Sequence, residues 1–113
     1  MTDKIVVLST ASSEQEARQI ARRLVEERLA ACVNIVPRAT SIYHWQGVVE
    51  EAAEWILVIK SSRSLFESLR GELERMHSYQ VPEIVALPVV DGSDAYLKWL
   101  DRELAGDPGP AVA

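Results

Sequence analysis

A histidine and a carboxylate that follow a predicted helix are the first candidates for chemistry in this sequence. His77 and Glu83 stand on the two sides of a predicted turn, where an imidazole and a carboxylate could meet and bind a divalent cation. Two ligands make a weak site, and no spacing in the chain resembles a dedicated metal motif. The alternative is a hydrogen-bonded histidine at a helix end, where its positive charge is favourable. The residue types therefore predict His77 and Glu83 as metal ligands and leave the structural interpretation open.

Catalytic and redox chemistry have little support in the residue pattern. No nucleophile and base can be paired by spacing, so we do not expect an enzyme. Residues 9–13 contain no glycine, which argues against a phosphate-binding loop of the acylphosphatase type. Cys32 is the single cysteine, so it forms no internal disulfide and no C-x-x-C pair. We expect it to pack as a small hydrophobe.

The elements that would position these residues follow from hydrophobic periodicity. The apolar run Ile5–Leu8 predicts a buried first strand over residues 4–10. Ser13 and Glu16 have the spacing of a capping box, so a helix begins there. Its apolar stripe recurs at helical intervals in Ala17, Ile20, Ala21, Leu24 and Val25.

Two long strands should follow, joined by a turn at Gly47. β-Branched and aromatic residues predict the second strand over 33–45. Pro37 predicts a bulge or an edge position in that strand, because proline lacks the donor that a sheet ladder needs. The third strand is predicted over 50–60, and its continuous apolar run Trp55–Ile59 indicates that both of its faces are covered.

The second half of the chain repeats the helix-then-strand pattern. Ser64 and Glu67 have the capping-box spacing again and predict a helix that continues to Met76. A strand between two prolines is expected over 83–88, and a short helix follows it. The glycine- and proline-rich segment 106–113 ends that helix and is expected to be a loose tail.

The element order β-α-β-β-α-β with an extra C-terminal helix predicts the fold. It matches the ferredoxin-like α+β fold, an antiparallel sheet with helices on one face. A chain of 113 residues has room for one domain, which we expect to span 1–113. The long hairpin of the second and third strands is its unusual feature. Trp45, near the hairpin tip, is predicted to anchor a subunit interface because one small domain cannot cover it.

Charge and hydropathy argue against two classes of partner. The 17 acidic and 12 basic side chains give a net charge of -5, which disfavours nucleic acid. The apolar runs are far shorter than the ~18–20 residues that cross a bilayer, and no signal-peptide pattern is present. We therefore expect no nucleic-acid partner, no membrane association and a cytoplasmic location.

Three stretches of sequence are specific enough to compare with a known family. They are Glu27–Ile35 (ERLAACVNI), Ser41–Gly47 (SIYHWQG) and His77–Ile84 (HSYQVPEI). Together they resemble the CutA family of divalent-cation tolerance proteins, and the resemblance runs from the first strand to Leu100.

The resemblance implies a homotrimer joined through its long hairpins and sheet edges, with Tyr43, Trp45 and Trp55 at the trimer interface. It also implies a role in the response to metal ions, with divalent metal ions as partners. Copper or another divalent cation would be bound, His77 being the best candidate ligand, and no other cofactor is required.

Three residues depart from the family pattern. Ser9 and Met76 stand where some relatives place a cysteine and a second histidine, and a serine hydroxyl is a poor ligand for soft copper. Ser78 replaces the proline of the family's His-Pro-Tyr turn. These departures predict weaker or altered metal coordination and a less rigid turn.

A trimeric small-molecule sensor, comparable in architecture to PII-like signalling proteins, is the alternative function. Lys60, Tyr79, Glu83 and Trp99 would line a cleft between subunits. Lys60 and Tyr79 suit an anionic ligand better than a cation.

Overall fold

Four strands and three α-helices make up residues 1–106, the part of the chain that the computed structural model describes. The elements are β1 (Lys4–Ala11), α1 (Glu14–Glu26), β2 (Cys32–Trp45), β3 (Val48–Ser62), α2 (Phe66–Met76), β4 (Val85–Pro88) and α3 (Asp94–Ala105), with a short 3₁₀ turn, Arg63–Leu65, before α2. Each predicted element is present close to its expected bounds. The tail predicted over 106–113 lies outside the described residues, apart from Gly106.

The strands form one antiparallel sheet in the order β2-β3-β1-β4. β1 lies inside the sheet, where Val7 pairs with Ile59 of β3 and with Ala86 of β4. β2 and β4 are the two edges. This strand order, with a helix between β1 and β2 and another between β3 and β4, is the ferredoxin-like arrangement, so the predicted α+β fold class is confirmed.

The core lies between one face of the sheet and helices α1 and α2. Alternate residues of β1 and β3 point toward the helices. The helices pack against them with apolar side chains at helical spacing. The largest fully buried apolar side chains are Val7, Leu57 and Ile59 from the sheet, Ile20 and Leu24 from α1, and Leu69 and Leu73 from α2.

Helix α3 covers the other face of the sheet. Lys4 neighbours the core residue Ile5 on β1, so its side chain points away from α1 and α2. This side chain is only 3% exposed, and its amine lies 2.6 Å from a carboxylate oxygen of Asp101 on α3. The helices of the predicted motif therefore share one face, and the extra helix explains how both faces of β3 are covered. None of the helices in residues 1–106 combines the length and apolar character needed to cross a bilayer.

The two predicted capping boxes have different outcomes. Ser13 caps α1 as predicted, since its Oγ accepts from the Glu16 N–H at 3.1 Å, whereas the Glu16 carboxylate accepts from the Ser12 N–H and not from that of Ser13. The capping box at Ser64 is wrong, because Ser64 lies inside the 3₁₀ turn and α2 begins at Phe66 without a side-chain cap. Glu67 pairs instead with Arg70, one turn further along the helix.

The hairpin of β2 and β3 extends beyond the helices. The chain measures 48 × 27 × 24 Å, and its radius of gyration is 14.9 Å, against about 13 Å for a compact domain of this length. Large apolar side chains near the tip are exposed, among them Ile42 at 64% and Val48 at 60%. The outer hairpin thus has no cover within residues 1–106.

Adjacent residues of α1 offer a direct test of where the core lies. Leu24 is fully buried and Val25 is 40% exposed. We expect Leu24→Ala to lower the free energy of unfolding by about 2–5 kcal/mol through lost burial and a residual cavity, and Val25→Ala to change it by less than about 1 kcal/mol. Denaturant unfolding at one fixed protein concentration measures both. Equal losses would contradict the assigned helix face.

Candidate functional site

A cavity of about 670 Å³ lies between the outer hairpin, the end of β1 and the loop that joins α2 to β4. Its volume is typical of small-molecule sites, which span about 300–1,000 Å³. The lining residues are Thr10 from β1, Ser41, Ile42, Tyr43, Trp45, Glu50 and Glu54 from the hairpin, and Ser78, Tyr79, Gln80, Val81 and Glu83 from the loop.

A β-bulge in the edge strand determines which side chains of the hairpin face this cavity. Val36 pairs with Ile56, but the next pair joins Ala39 to Glu54, so β2 carries one extra residue there. Beyond the bulge, Tyr43 lies directly opposite Glu50. Paired residues share a face of the sheet, so the extra residue puts the aromatic side chain beside the carboxylates. The bulge or edge position predicted from Pro37 is confirmed on both counts.

His77 holds the opposite wall against the end of β1. Its side chain is fully buried, with Nε2 at 2.6 Å from the Thr10 carbonyl oxygen and Nδ1 at 3.0 Å from the Tyr79 backbone nitrogen. A carbonyl can only accept and the Tyr79 N–H can only donate, so these bonds assign the neutral tautomer with its proton on Nε2. Both ring nitrogens are therefore engaged by the backbone.

Glu16 fixes the next residue of the same loop. Its carboxylate accepts from the Ser78 N–H and from the N–H and Oγ of Ser12, each at 2.9 Å. Burial opposes ionisation of Glu16, but these hydrogen bonds outweigh it and lower its pKa from 4.5 to about 2. Ser78 thus supplies a backbone donor that the proline of the family pattern lacks.

Tyr79 joins the loop to the hairpin. Its hydroxyl donates to Glu54 Oε2 at 2.7 Å, and its ring lies 4.8 Å from the ring of His77, measured between centroids. Burial, followed by the hydrogen bond to Glu54, raises the pKa of Tyr79 above its usual range. The hydroxyl therefore stays protonated and holds Glu54, which is only 7% exposed, at the cavity wall.

The electrostatic character of the cavity is negative. Three carboxylates line it, those of Glu50, Glu54 and Glu83, and no basic side chain belongs to its described lining. None of the three forms an ion pair within residues 1–106. Across the same residues, no group of three His, Cys, Asp or Glu side chains is placed to hold a metal ion.

The residues predicted from sequence as ligands are only partly brought together. Glu83 and Tyr79 line the cavity, whereas His77 lies behind its wall with both nitrogens engaged. Lys60 is hydrogen-bonded to Asn34, and Trp99 stacks on Tyr96 of α3. Neither Lys60 nor Trp99 is part of the cavity of one subunit.

The aromatic residues predicted at an interface occupy two environments. Tyr43 and Trp45 line the cavity and are 40% and 41% exposed. Trp55 is half-buried, with the Arg38 guanidinium carbon 6.0 Å from its ring centroid. Their placement at a trimer interface stays a prediction.

Two of the three positions that depart from the family pattern point into the protein. Ser9 is fully buried on the core face of β1, and Met76 packs against the core. Neither lines the cavity. The third position, Ser78, is tied down by Glu16, which opposes the looser turn expected from the loss of proline.

Sequence reasoning missed the carboxylates of the hairpin and of α1. Glu54 stands directly before the apolar run of β3, and a glutamate at the margin of a buried strand is a signal that could have been followed. For Glu16 the sequence pattern indicates only one half of a capping box. Its bond to Ser78 joins residues 62 positions apart and has no local signature.

Comparison with known proteins gives a consistent result. Residues 5–103 match the sequence pattern of the family described as CutA1 divalent ion tolerance protein. The divalent-cation tolerance protein CutA of Thermus thermophilus is 55% identical over 101 residues, covering 89% of this chain and 97% of that protein. The human protein CutA is 46% identical over 91 residues, covering 80% of this chain but 51% of the human one. The chain thus spans nearly all of the bacterial relative and about half of the human relative.

Solved structures of similar proteins share the whole fold. The CutA structure from Xylella fastidiosa superimposes with a TM-score of 0.89 at 38% identity, covering 91% of this chain and 99% of that one. A structure from Archaeoglobus fulgidus, described as a periplasmic divalent cation tolerance protein, gives a TM-score of 0.87 at 40% identity, with 89% and 98% covered.

The Glu16 hydrogen bonds predict acid sensitivity. Because folding lowers the pKa of this carboxyl, the carboxylate stabilises the folded state fully above about pH 4.5. This stabilisation is lost as the pH falls toward about 2. We expect Glu16→Gln to remove about 1–2 kcal/mol at neutral pH, after allowance for solvent screening, and to flatten the dependence of unfolding free energy on pH in that window.

Denaturant unfolding between pH 2 and 7 measures this effect. The matched control is Glu14→Gln, which removes a carboxylate from the same helical turn without touching the loop, and it should stay within about 0.5 kcal/mol of the parent. A Glu16→Gln variant that keeps the full acid dependence would contradict the assignment.

Proposed function

Because this chain belongs to the CutA1 divalent ion tolerance family, we propose that it acts in the tolerance of divalent cations, as a homotrimer that binds them in its carboxylate-lined cavity. The observation that carries the proposal is the set of three glutamates, Glu50, Glu54 and Glu83, that line one cavity without an ion-pair partner in residues 1–106. Uncompensated negative charge in a concave site attracts cations.

The donor atoms favour cations that accept oxygen ligands. Carboxylate, hydroxyl and carbonyl oxygens suit hard ions such as Mg²⁺, Ca²⁺ and Mn²⁺, whereas thiolate and imidazole favour softer ions. One subunit offers no convergent group of three ligands within residues 1–106. A bound ion would therefore keep water ligands or take further ligands from a second subunit, and its affinity would be modest.

His77 supports the cavity in this proposal rather than ligating the metal. Both of its nitrogens are hydrogen-bonded and its side chain is fully buried. Binding copper would require the ring to release Thr10 or Tyr79. Copper binding at His77 would therefore require breaking a hydrogen bond of the ring. Cation binding at Glu83, which lines the cavity, would not.

The proposed homotrimer is supported by the exposed hairpin. Apolar and aromatic side chains near its tip are uncovered in one subunit, with Tyr43, Trp45 and Val49 between 40% and 59% exposed. Contiguous exposed apolar surface marks interaction sites. Both sheet edges, β2 and β4, are also free to pair with or be covered by other subunits within the described part of the chain.

A small-molecule sensor is the second candidate, and the size of the cavity favours it. About 670 Å³ far exceeds the room that a partly hydrated ion needs. The anionic ligand expected for such a sensor lacks support within one subunit, since Lys60 and Trp99 do not line the cavity.

The cytoplasm stays a prediction for the location of this protein. A free Cys32 thiol is consistent with a reducing compartment, while the relative from A. fulgidus is described as periplasmic.

Titration with Mn²⁺, followed by the electron paramagnetic resonance signal of the free ion, tests cation binding. We expect Glu83→Gln to weaken Mn²⁺ binding at least about tenfold because an oxygen ligand loses its charge. Glu51→Gln is the matched control, since Glu51 lies on β3 outside the cavity lining, and it should change the affinity less than about twofold. Loss of Cu²⁺ binding in His77→Ala with full retention in Glu83→Gln would instead favour the histidine site.

Sedimentation at low micromolar concentration tests the interface. We expect Trp45→Ala to raise the dissociation constant of the trimer at least about tenfold, since buried tryptophans are the commonest interface anchors. Arg18→Ala removes an exposed side chain from α1 and should leave the assembly intact. An unaltered trimer in the Trp45 variant would count against an interface role for the hairpin tip.

A further inference from the structure

The cavity has one feature that a simple metal site does not need, which is an aromatic wall. Three aromatic side chains, Tyr43, Trp45 and Tyr79, line it together with its three carboxylates. Aromatic rings supply no good ligand atoms for a hard metal ion. They do attract organic cations, because the face of an aromatic ring carries negative electrostatic potential.

One carboxylate is presented to the cavity in a fixed position. Glu54 is 93% buried, being 7% exposed, and its Oε2 is held by the Tyr79 hydroxyl at 2.7 Å. Its Oε1 accepts no hydrogen bond from residues 1–106 although the residue lines the cavity. This oxygen is not one of the fully buried atoms that lack a hydrogen-bond partner, so it stays accessible from the cavity and can accept from a donor that enters it.

The remaining lining residues suit a ligand that carries a charged hydrogen-bond donor and also has an apolar part. Ile42 and Val81 add apolar surface to the rings, while Ser41 and Gln80 add neutral polar groups. An inorganic ion would gain nothing from the apolar part, and an anion would be repelled by the glutamates. An organic ammonium ion satisfies both parts.

We propose that this cavity binds a small organic ammonium ion, with its charged nitrogen at Glu54 and its carbon groups against Tyr43, Trp45 and Tyr79. The inference shares its cavity with the proposed function but does not depend on metal binding. In the proposed trimer the hairpin would make the cavity a cleft at the subunit boundary, so the test uses the intact assembly.

Benzylammonium and benzyl alcohol form a matched pair of probes, since they share size and ring and differ in charge at neutral pH. Calorimetric titration of the chelator-treated full-length protein compares them. We expect benzylammonium to bind at least about tenfold more tightly than benzyl alcohol, which corresponds to a cation–π and ion-pair gain of ordinary size. Equal binding of the two probes, or no binding of either at millimolar concentration, would overturn the inference.

Two variants locate the binding. Glu54→Gln keeps an oxygen for the Tyr79 hydroxyl while removing the charge, and it should weaken benzylammonium at least about tenfold without affecting benzyl alcohol. Glu50→Gln changes an exposed residue of the cavity lining, so it tests the same cavity even if the first variant folds poorly, and a loss of about threefold or more is expected. Glu51→Gln is the control and should leave binding within about twofold. Unchanged affinity in both cavity variants would contradict the assignment.

The same protein samples separate this inference from the proposed function. Benzylammonium binding without Mn²⁺ binding would remove the metal role of the cavity and keep the organic cation. Mn²⁺ binding without benzylammonium binding would keep the metal role of the cavity and overturn the inference of an organic cation. Competition between the two cations is expected, because both would use the charge of Glu54.

Discussion

The hydrogen bonds of one buried imidazole hold together the part of the structure on which the cavity depends. The last pair between β1 and β4 is Leu8 with Val85, and the Thr10 carbonyl beyond it is met by His77 Nε2. An unpaired buried carbonyl costs about 1–3 kcal/mol. The same ring accepts the Tyr79 N–H, which directs the phenol to Glu54. The side chain that most suggested metal chemistry is thus used to position the backbone.

A second constraint acts from the opposite wall. The extra residue between Val36 and Ala39 changes which side chains of β2 accompany Glu54. Without it, alternation along the strand would place Ile42 and His44 on that face instead of Tyr43 and Trp45. Arg38 takes a left-handed backbone conformation inside the bulge, with φ of 53°, and its guanidinium lies over Trp55. The aromatic wall therefore depends on a local irregularity several residues away.

The sequence was sufficient for features with a local cause and insufficient for those made by distant residues. Periodicity located the elements, Ser13 located the start of α1, and proline chemistry indicated the bulge. The contact of Tyr79 with Glu54 joins residues 25 positions apart, and no spacing rule describes it. Ser64 does not cap α2 because it lies inside the 3₁₀ turn Arg63–Leu65, where the Arg63 N–H donates to the Asp3 carbonyl just ahead of β1, a contact that no capping pattern describes.

The distribution of charge explains why cations of two kinds suit one cavity. On α2, arginines lie between glutamates and neutralise them, as Arg70 does with Glu67 and Glu74. Within residues 1–106 the glutamates of the cavity have no basic neighbour, so a cation from outside would supply the positive charge that the cavity lacks. Charge alone does not distinguish a metal ion from an ammonium ion. The shape of the site distinguishes them. A metal ion is bound by oxygens that converge on it within about 2–2.6 Å, whereas an organic cation is stabilised by aromatic surface spread over a wider space. The single subunit provides the second geometry more fully than the first.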